Sequence, residues 1–167
     1  QIWVATARGG LELLDPATGV FKHHRHDPKN PNSILNNIVH AIYLDEKKGI
    51  IWAGTAGGLS GLELASGQWQ NYTTRDGLPN NTIVGIQPGS DNDLWVSTSK
   101  GISHLNLETK TFHNYDVHDG LQGDQFGIAS SHRGPDGEIF FGGSNGLTFF
   151  HPDTLVYNEN PPQIVFT

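Results

Sequence analysis

Pairs of adjacent amide side chains recur along this sequence and are the residues best suited to binding chemistry. Asn36-Asn37 and Asn80-Asn81 each precede a short apolar run, and Asp124 followed by a glutamine takes the corresponding place farther along. A side-chain amide offers both a hydrogen-bond donor and an acceptor, which suits hydroxyl-rich ligands such as sugars. Asparagine also closes its own backbone turns, and turn structure is the more ordinary role of such a pair.

A second set of loop residues carries isolated polar or charged groups. Arg8 and Lys100 interrupt the local pattern and are better ligand candidates than the asparagines, and Asn145 lies at the same kind of position. In a sheet whose strands alternate in direction, loops of these two kinds emerge on one face, where ligands tend to bind over a rigid scaffold. The predicted ligand-binding residues are Arg8, Asn37, Asn81, Lys100, Asp124 and Asn145.

Nine histidines raise the question of a metal site. His23, His24 and His26 are followed by Asp27, and on a strand His24 and His26 would share a face suited to zinc or nickel. The other histidines are dispersed, and no second cluster supports the site. We interpret the group as a solvated strand end and predict neither a metal nor another cofactor.

Composition narrows the possible functions. A net charge of −7, with 10 basic residues of which only Lys47 and Lys48 are adjacent, argues against nucleic-acid binding. The absence of cysteine excludes disulfides and thiolate metal sites. The string Gly142-Gly143-Ser144-Asn145-Gly146 matches Gly-x-Ser-x-Gly, but it lies between two predicted strands and not at the strand-to-helix elbow that a nucleophilic serine needs. The paired Asp91 and Asp93 fall in a turn where aspartate is common. We therefore predict no catalysis in this segment.

The elements that would position these residues repeat along the chain. Residues 78–115 contain four short apolar runs separated by Gly, Asn, Asp, Pro or Ser, the pattern of a four-stranded meander. An aromatic residue marks the same run in each unit, with steps of 49, 43 and 45 residues, and we expect these side chains to form the core between units. They are Trp3, Trp52, Trp95 and Phe140.

This period predicts an all-β fold, a β-propeller fragment of about four blades, each a four-stranded antiparallel meander. The partial propeller spans residues 1–155, and the first unit lacks its first strand. Residues 156–167 are expected to form a linker and the first strand of a following domain. Because the chain opens in mid-strand at Gln1, we expect it to be a fragment of something longer. The predicted units are roughly 1–33, 34–77, 78–118 and 119–155.

The units resemble the two-component regulator propeller repeat. The residues that carry the resemblance are Leu78-Pro79-Asn80-Asn81, Leu94-Trp95-Val96-Ser97-Thr98 and Gly101-Ile102 in the third unit, Ile51-Trp52-Ala53-Gly54-Thr55 in the second, and Asp15-Pro16-Ala17-Thr18-Gly19-Val20-Phe21 in the first. The fourth unit departs from the pattern, with Phe140 in place of Trp, Gly142-Gly143 in place of Gly-Thr, and Gln122-Gly123 in place of Asn-Asn. The tail 160–167 is similar to the family's junction into an immunoglobulin-like Y_Y_Y domain.

The resemblance implies the extracytoplasmic sensing part of a membrane-bound histidine kinase, often a hybrid one. We therefore expect a ligand-sensing module, periplasmic or extracellular, that recognises a carbohydrate or another polar small molecule. It would pass the signal to a kinase and phosphorelay outside this segment. Two alternatives stay open: a propeller lyase of the streptogramin-inactivating type, and a structural protein-interaction scaffold.

The expected partners are a small-molecule or oligosaccharide ligand, with no nucleic acid and no direct membrane contact by this segment. An open arc of blades also leaves its two end faces bare. We therefore expect those faces to be covered by the missing blades of the parent chain or by a second copy of this chain.

Overall fold

The computed structural model describes residues 1–90 and 92–155, whose regular structure is almost entirely β. The remainder is two single-turn 3-10 helices, Val117–Asp119 and Pro152–Thr154, and no α-helix occurs in the described residues. Asp91 and the predicted linker and strand at 156–167 lie outside them.

Fourteen strands form four antiparallel sheets in which each strand pairs with the next along the chain. The predicted all-β propeller fragment is confirmed, although the first and last sheets have three strands and only the middle two have four. The first sheet contains β1 (Ile2–Ala5), β2 (Leu11–Asp15) and β3 (Val20–His24); the second contains β4 (Val39–Asp45), β5 (Ile50–Thr55), β6 (Gly58–Glu63) and β7 (Trp69–Tyr72). The third contains β8 (Ile83–Pro88), β9 (Asp93–Thr98), β10 (Ile102–Asn106) and β11 (Thr111–Tyr115); the fourth contains β12 (Phe126–Arg133), β13 (Ile139–Gly143) and β14 (Gly146–Phe150).

The sheets stand side by side, and the first strands of neighbouring sheets contact one another: β8 lies between β4 and β12. A separate hydrophobic core fills each of the three interfaces between successive sheets. The middle strands β5 and β9 are buried on both faces, which explains why their sequences are continuously apolar instead of alternating.

The marker aromatics differ in whether a following sheet covers them. Trp52 and Trp95 are almost completely buried between sheets, and Trp3 packs against the core between the first two sheets. Phe140 differs from the expectation of core burial: it is half-buried and packs on Phe149, with ring centroids 6.0 Å apart. Trp95, at the same repeat position, faces the fourth sheet, so Phe140 faces the side on which the described residues supply no further sheet.

Glycine is required where the third strand of a unit begins beside the end of the fourth. At Gly101 the backbone has φ +86°, and a Cβ there would lie 2.3 Å from the carbonyl oxygen of Tyr115. Only a residue without a side chain meets both conditions. The glycine therefore fixes where β10 starts and which residues form the turn before it.

Each first strand carries a bulge near its start. The register with the second strand shifts between Val39 and Ala41 in β4 and between Ile83 and Gly85 in β8. In β12 the shift spans more residues, from Phe126 to Ser131, and Ala129 there has φ +54°. Bulges bend a strand and end its regular pairing, so the fourth unit departs from the others at the strand nearest the centre.

Candidate functional site

All six predicted ligand residues lie at one edge of the sheets, which we call the amide edge. It consists of the loops that enter β4, β8 and β12 and the turns β1–β2, β5–β6, β9–β10 and β13–β14. Backbone hydrogen bonds join loops of neighbouring units: the Gly10 N–H donates to the carbonyl of Asn37 at 2.9 Å, and the Gly101 N–H to that of Asp124 at 2.7 Å. The turn that carries Arg8 thus adjoins Asn37, and the turn that carries Lys100 adjoins Asp124.

The first asparagine of each pair organises its own loop. The side-chain oxygen of Asn36 accepts the N–H of Ile38 at 2.8 Å, and that of Asn80 accepts the N–H of Thr82 at 2.7 Å. Both are Asx-turns, which bend the chain into the first strand of the unit. Turn chemistry therefore accounts for these two residues.

The second asparagine of each pair connects its loop to the end of the preceding unit. The side-chain oxygen of Asn37 accepts the N–H of His26, and that of Asn81 accepts the N–H of Thr74, both at 2.8 Å. The oxygens are thus engaged, whereas no hydrogen bond is found within the described residues for the two NH₂ groups. Any ligand contact by these half-buried side chains would use the amide as a donor.

Asp124 takes the place of the second asparagine in the fourth unit and is bonded differently. Its Oδ1 is buried and has no hydrogen-bond partner among the described residues. A buried acceptor without a donor is uncommon and calls for an explanation. A buried water molecule is the ordinary donor to such an enclosed oxygen, and a surface ligand would meet Asp124 only through its other carboxylate oxygen.

A threonine at the end of the second strand holds the turn between the second and third strands of a unit. In the third unit the Thr98 hydroxyl donates to the carbonyl of Gly101 at 2.9 Å and accepts the N–H of Lys100 at 2.9 Å. Thr6 and Thr55 make the same pair of bonds in the first two units. The threonine therefore holds the turn that presents Lys100.

Gln122 replaces this threonine in the fourth unit, and sequence reasoning missed it. Gly143 stands at the threonine position, and the Gln122 side-chain oxygen instead accepts the N–H of Asn145 at 2.8 Å. The Gln122 backbone N–H also donates to the Thr148 hydroxyl at 3.1 Å. The sequence does contain a sign of this role, because Gly143 and Gln122 both depart from the repeat. Gly143 removes the threonine hydroxyl, and Gln122 supplies an acceptor in its place.

The charged residues of the amide edge extend into solvent. Arg8, Lys100 and Asn145 are exposed, and neither cation forms an ion pair with any described residue. None of the six predicted residues lines any of the four cavities described for the chain. The amide edge is an open surface, on which half-buried amides alternate with exposed charges.

A polar cavity of about 520 Å³ lies at the opposite edge, between the β4–β5 and β8–β9 turns. Burial, and then the nearby Asp45 carboxylate, raise the pKa of the half-buried Tyr43. Asp93 accepts the Ser90 hydroxyl at 2.6 Å and lies 3.2 Å from His104. The described residues that line this cavity are Tyr43, Leu44, Asp45, Glu46, Lys47, Pro88, Gly89, Ser90, Asp93, Leu94 and Arg133.

The clustered histidines diverge in the structure. His23 contacts the carboxylate of Glu12, whereas His24 lies between the rings of Trp3 and Trp69. His26 follows the end of β3, and its Nδ1 lies 2.8 Å from the carbonyl oxygen of Ile34. No group of three or more metal-ligating side chains is found within the described ranges.

One segment of the chain matches a family model, that of the two component regulator propeller, over residues 77–100. This segment includes the Asn80-Asn81 loop, β8, β9 and the turn at Lys100. The match to this model thus falls within the third unit. No curated protein matches the sequence significantly.

Solved structures with the same fold include extracellular domains of putative hybrid two component systems from B. thetaiotaomicron. The domain of BT3049 superimposes with a TM-score of 0.79 at 25% identity, covering 91% of this chain and 20% of that one. The domain of BT4673 gives 0.71 at 25% identity, with 91% and 21% covered. The chain thus spans about a fifth of the length of these domains.

A virginiamycin B lyase from Staphylococcus aureus is a more distant neighbour, with a TM-score of 0.57 and 19% identity over 86% of this chain and 49% of that one. At this identity the likeness shows the fold alone. The described residues include no helix long and apolar enough to cross a membrane.

Proposed function

We propose that this chain is part of the ligand-sensing region of a two-component receptor and lies in the periplasm or outside the cell. The observation that carries the proposal is the agreement of two similarities. The third unit matches the two component regulator propeller, and nearly the whole chain superimposes on extracellular domains of hybrid two component systems. The parent protein would be anchored in a membrane and would carry the histidine kinase and phosphorelay outside this segment.

The ligand that best fits the amide edge is a carbohydrate or another polar small molecule. Asn37 and Asn81 offer donors, the half-buried Asp124 offers a carboxylate acceptor, and Arg8 and Lys100 add charge-assisted donors. Donors and acceptors interspersed over an open surface suit a ligand with many hydroxyl groups. The segment itself performs no catalytic step in this proposal.

The test is nuclear magnetic resonance of the chain, or of the complete ring that contains it, with a panel of neutral and acidic oligosaccharides. At least one sugar should perturb the backbone amides of Arg8, Asn81 or Lys100. A ligand whose effects are confined to the β4–β5 and β8–β9 turns would place the site at the opposite edge and overturn the assignment of the amide edge. Turnover of the sugar would favour a lyase instead.

A further inference from the structure

A cleft of about 520 Å³ opens between the first and second sheets, away from the amide-edge residues. Three rings, those of Trp3, His24 and Trp69, form its walls, and we call it the tryptophan cleft. Both flanking sheets belong to the described residues. The remaining lining consists of Gln1, Leu13, Lys22, Leu62, Glu63, Leu64 and Gly67.

The next interface shows what the same positions look like when they are closed. There Trp52, Tyr72 and Phe112 take the places of Trp3, His24 and Trp69. The spacing of the rings is alike, with centroid distances of 6.2 and 5.6 Å there and 5.6 and 5.9 Å in the cleft. The surroundings of Trp52, Tyr72 and Phe112 are part of a continuous core between the second and third sheets. The two interfaces differ in the exposure of the leucine at the rim. Leu64 in the cleft is 45% exposed, whereas its counterpart Leu107 is 8% exposed.

The cross-strand neighbour of the tryptophan differs between the two interfaces. Trp52 pairs across the sheet with Gly61, and its ring lies so close that a Cβ on Gly61 would come within 2.6 Å of it. Trp3 pairs in the same way with Leu13, which also lines the cleft. Trp52 is fully buried, whereas Trp3 is only half-buried and forms a wall of the cleft.

The opposite wall is held in place by the long loop between the first two units. The backbone N–H of Trp69 donates to the side-chain oxygen of Asn32 at 2.7 Å, and the Asn71 amide donates to the carbonyl of Ser33 at 2.9 Å. These bonds fix β7 along its outer edge. Trp69 is thus positioned before any ligand arrives, which reduces the entropy lost on binding.

The polar groups of the cleft favour an uncharged ligand. Lys22 and Glu63 place one charge of each sign in the lining, and burial, aided by Lys22, lowers the pKa of His24 and keeps its ring neutral near pH 7. The Nε2 of His24 is buried between the indoles without a hydrogen-bond partner in the described residues. Aromatic walls with a few convergent polar groups are the usual form of a small-molecule site.

We propose that the tryptophan cleft binds a neutral sugar ring, whose apolar face stacks on Trp69 or Trp3 and whose hydroxyls meet the polar groups of the lining. A flat ring with one apolar face and peripheral hydroxyls matches two indoles whose N–H groups are donors. The inference rests on the proposed sensing function for its ligand class. Its site is separate from the amide edge, so the two can fail independently.

The test titrates maltose, cellobiose, lactose and xylobiose into the wild-type chain by calorimetry, in the oligomeric state in which it is purified. Trp69→Ala should weaken the binding of any sugar that binds by about tenfold or more, and Trp69→Phe should restore most of the loss because it keeps an aromatic face. A control change at an exposed residue that belongs to neither site, Glu108→Ala, should leave the affinity for that sugar unchanged.

A second readout does not depend on any variant. A sugar bound in the cleft should protect the accessible tryptophans Trp3 and Trp69 from acrylamide quenching, whereas Trp52 and Trp95 are already buried. Equal affinity in wild type and Trp69→Ala, or quenching that the sugar does not change, overturns the cleft and leaves the proposed function standing. A panel in which no sugar binds the wild type overturns both the cleft and the carbohydrate part of that function.

Discussion

Single side chains shape the amide edge by binding backbone groups in their own turns. Asn36 and Asn80 close Asx-turns, and Thr98 bridges the N–H of Lys100 and the carbonyl of Gly101. Such bonds satisfy backbone groups that would otherwise be buried without partners. The exposed residues of the edge are presented by turns whose geometry is set by these buried or half-buried neighbours.

Removing the hydroxyl of Thr98 should destabilise the chain more than removing its methyl group. Thr98 is fully buried, and Thr98→Val leaves the N–H of Lys100 without an acceptor, at a cost of about 1–3 kcal/mol in the free energy of unfolding. Thr98→Ser keeps the hydroxyl and should cost about 1 kcal/mol for the lost methyl. Urea unfolding measures both; a valine variant as stable as the serine variant would show that the turn does not depend on the bond.

Stability should fall as the pH drops below about 6.5, the ordinary pKa of histidine. Burial lowers the pKa of His24 and of His40, so the folded chain binds fewer protons there than the unfolded chain does. As the pH falls through the unfolded pKa, the unfolded chain takes up protons that the folded chain does not, and this favours unfolding. Above that pH neither state is protonated at these histidines, and the full stability is present. Thermal unfolding between pH 5 and 8 measures the slope, and His24→Tyr, which copies Tyr72 and Tyr115 of the later units, should reduce it. An unchanged slope in that variant would show that His24 does not contribute to the pH dependence of stability.

The sequence predicted which residues reach the amide edge but not what their atoms do there. The asparagine pairs and their spacing gave the loops, because loop position follows from strand direction. In each pair the first asparagine closes its own turn and the second bonds to the preceding unit. The second role depends on where the fold places His26 and Thr74, whose N–H groups donate to Asn37 and Asn81. Gln122 escaped notice because its role is defined by a contact between a loop and a turn 23 residues later.

Within each sheet, a glycine determines where the third strand begins, and apolar residues determine which faces pack against the neighbouring sheets. The start of the third strand approaches the end of the fourth so closely that Gly101 has no room for a side chain. This contact also positions the N–H of Gly101 to reach Asp124 in the next unit. The same glycine therefore serves the sheet and its junction with the neighbouring sheet.

Gly101→Ala should be markedly more destabilising than Gly120→Ala. Both backbones have positive φ, +86° and +96°, so each alanine carries a conformational cost of about 1–2 kcal/mol. A Cβ at Gly120 meets nothing within 4 Å, whereas one at Gly101 meets the Tyr115 carbonyl, which should add about 1–3 kcal/mol. Chemical denaturation of the two variants gives the difference, and equal losses would mean that the close approach does not constrain the sheet.

At this scale the repeat pattern was sufficient to predict the meanders, since turn residues and apolar runs recur in register. It was not sufficient for the tryptophan cleft, because Trp3 and Trp52 occupy the same repeat position. Their surroundings differ in the cross-strand residues Leu13 and Gly61, and that pairing follows from register. The local sequence around each tryptophan does not reveal it.

The described sheets form an open arc whose two end faces carry exposed apolar side chains. On the fourth sheet Leu147 and Phe149 are 54% and 60% exposed, and on the first sheet Ile2 and Phe21 are 51% and 45% exposed. Phe21 occupies the position of Phe112, which packs between the second and third sheets. Each end face therefore has the composition of an interface between sheets, and we propose that further blades of the parent chain or a second copy of this chain cover it.

The isolated chain should accordingly associate with itself. A three-stranded face of ordinary dimensions measures about 240 Å², and apolar area is worth about 25 cal/mol per Å² as an upper bound. Sedimentation at micromolar concentration should show species larger than the 18.2 kDa monomer. Phe149→Ser should weaken the association, whereas Val117→Ser, which removes another exposed apolar group from a 3-10 helix, should not. A soluble, folded monomer would refute the covering of the end faces.

The most direct test of the sensing role is ligand-dependent phosphorylation of the full-length parent protein in membrane vesicles. With labelled ATP, at least one sugar that binds the chain should change the rate at which phosphate is incorporated on histidine. Changing Asn81 and Lys100 together to alanine should abolish that change if the amide edge is the site that senses the sugar. A parent protein that incorporates no phosphate, or that consumes the sugar instead of responding to it, would contradict the account.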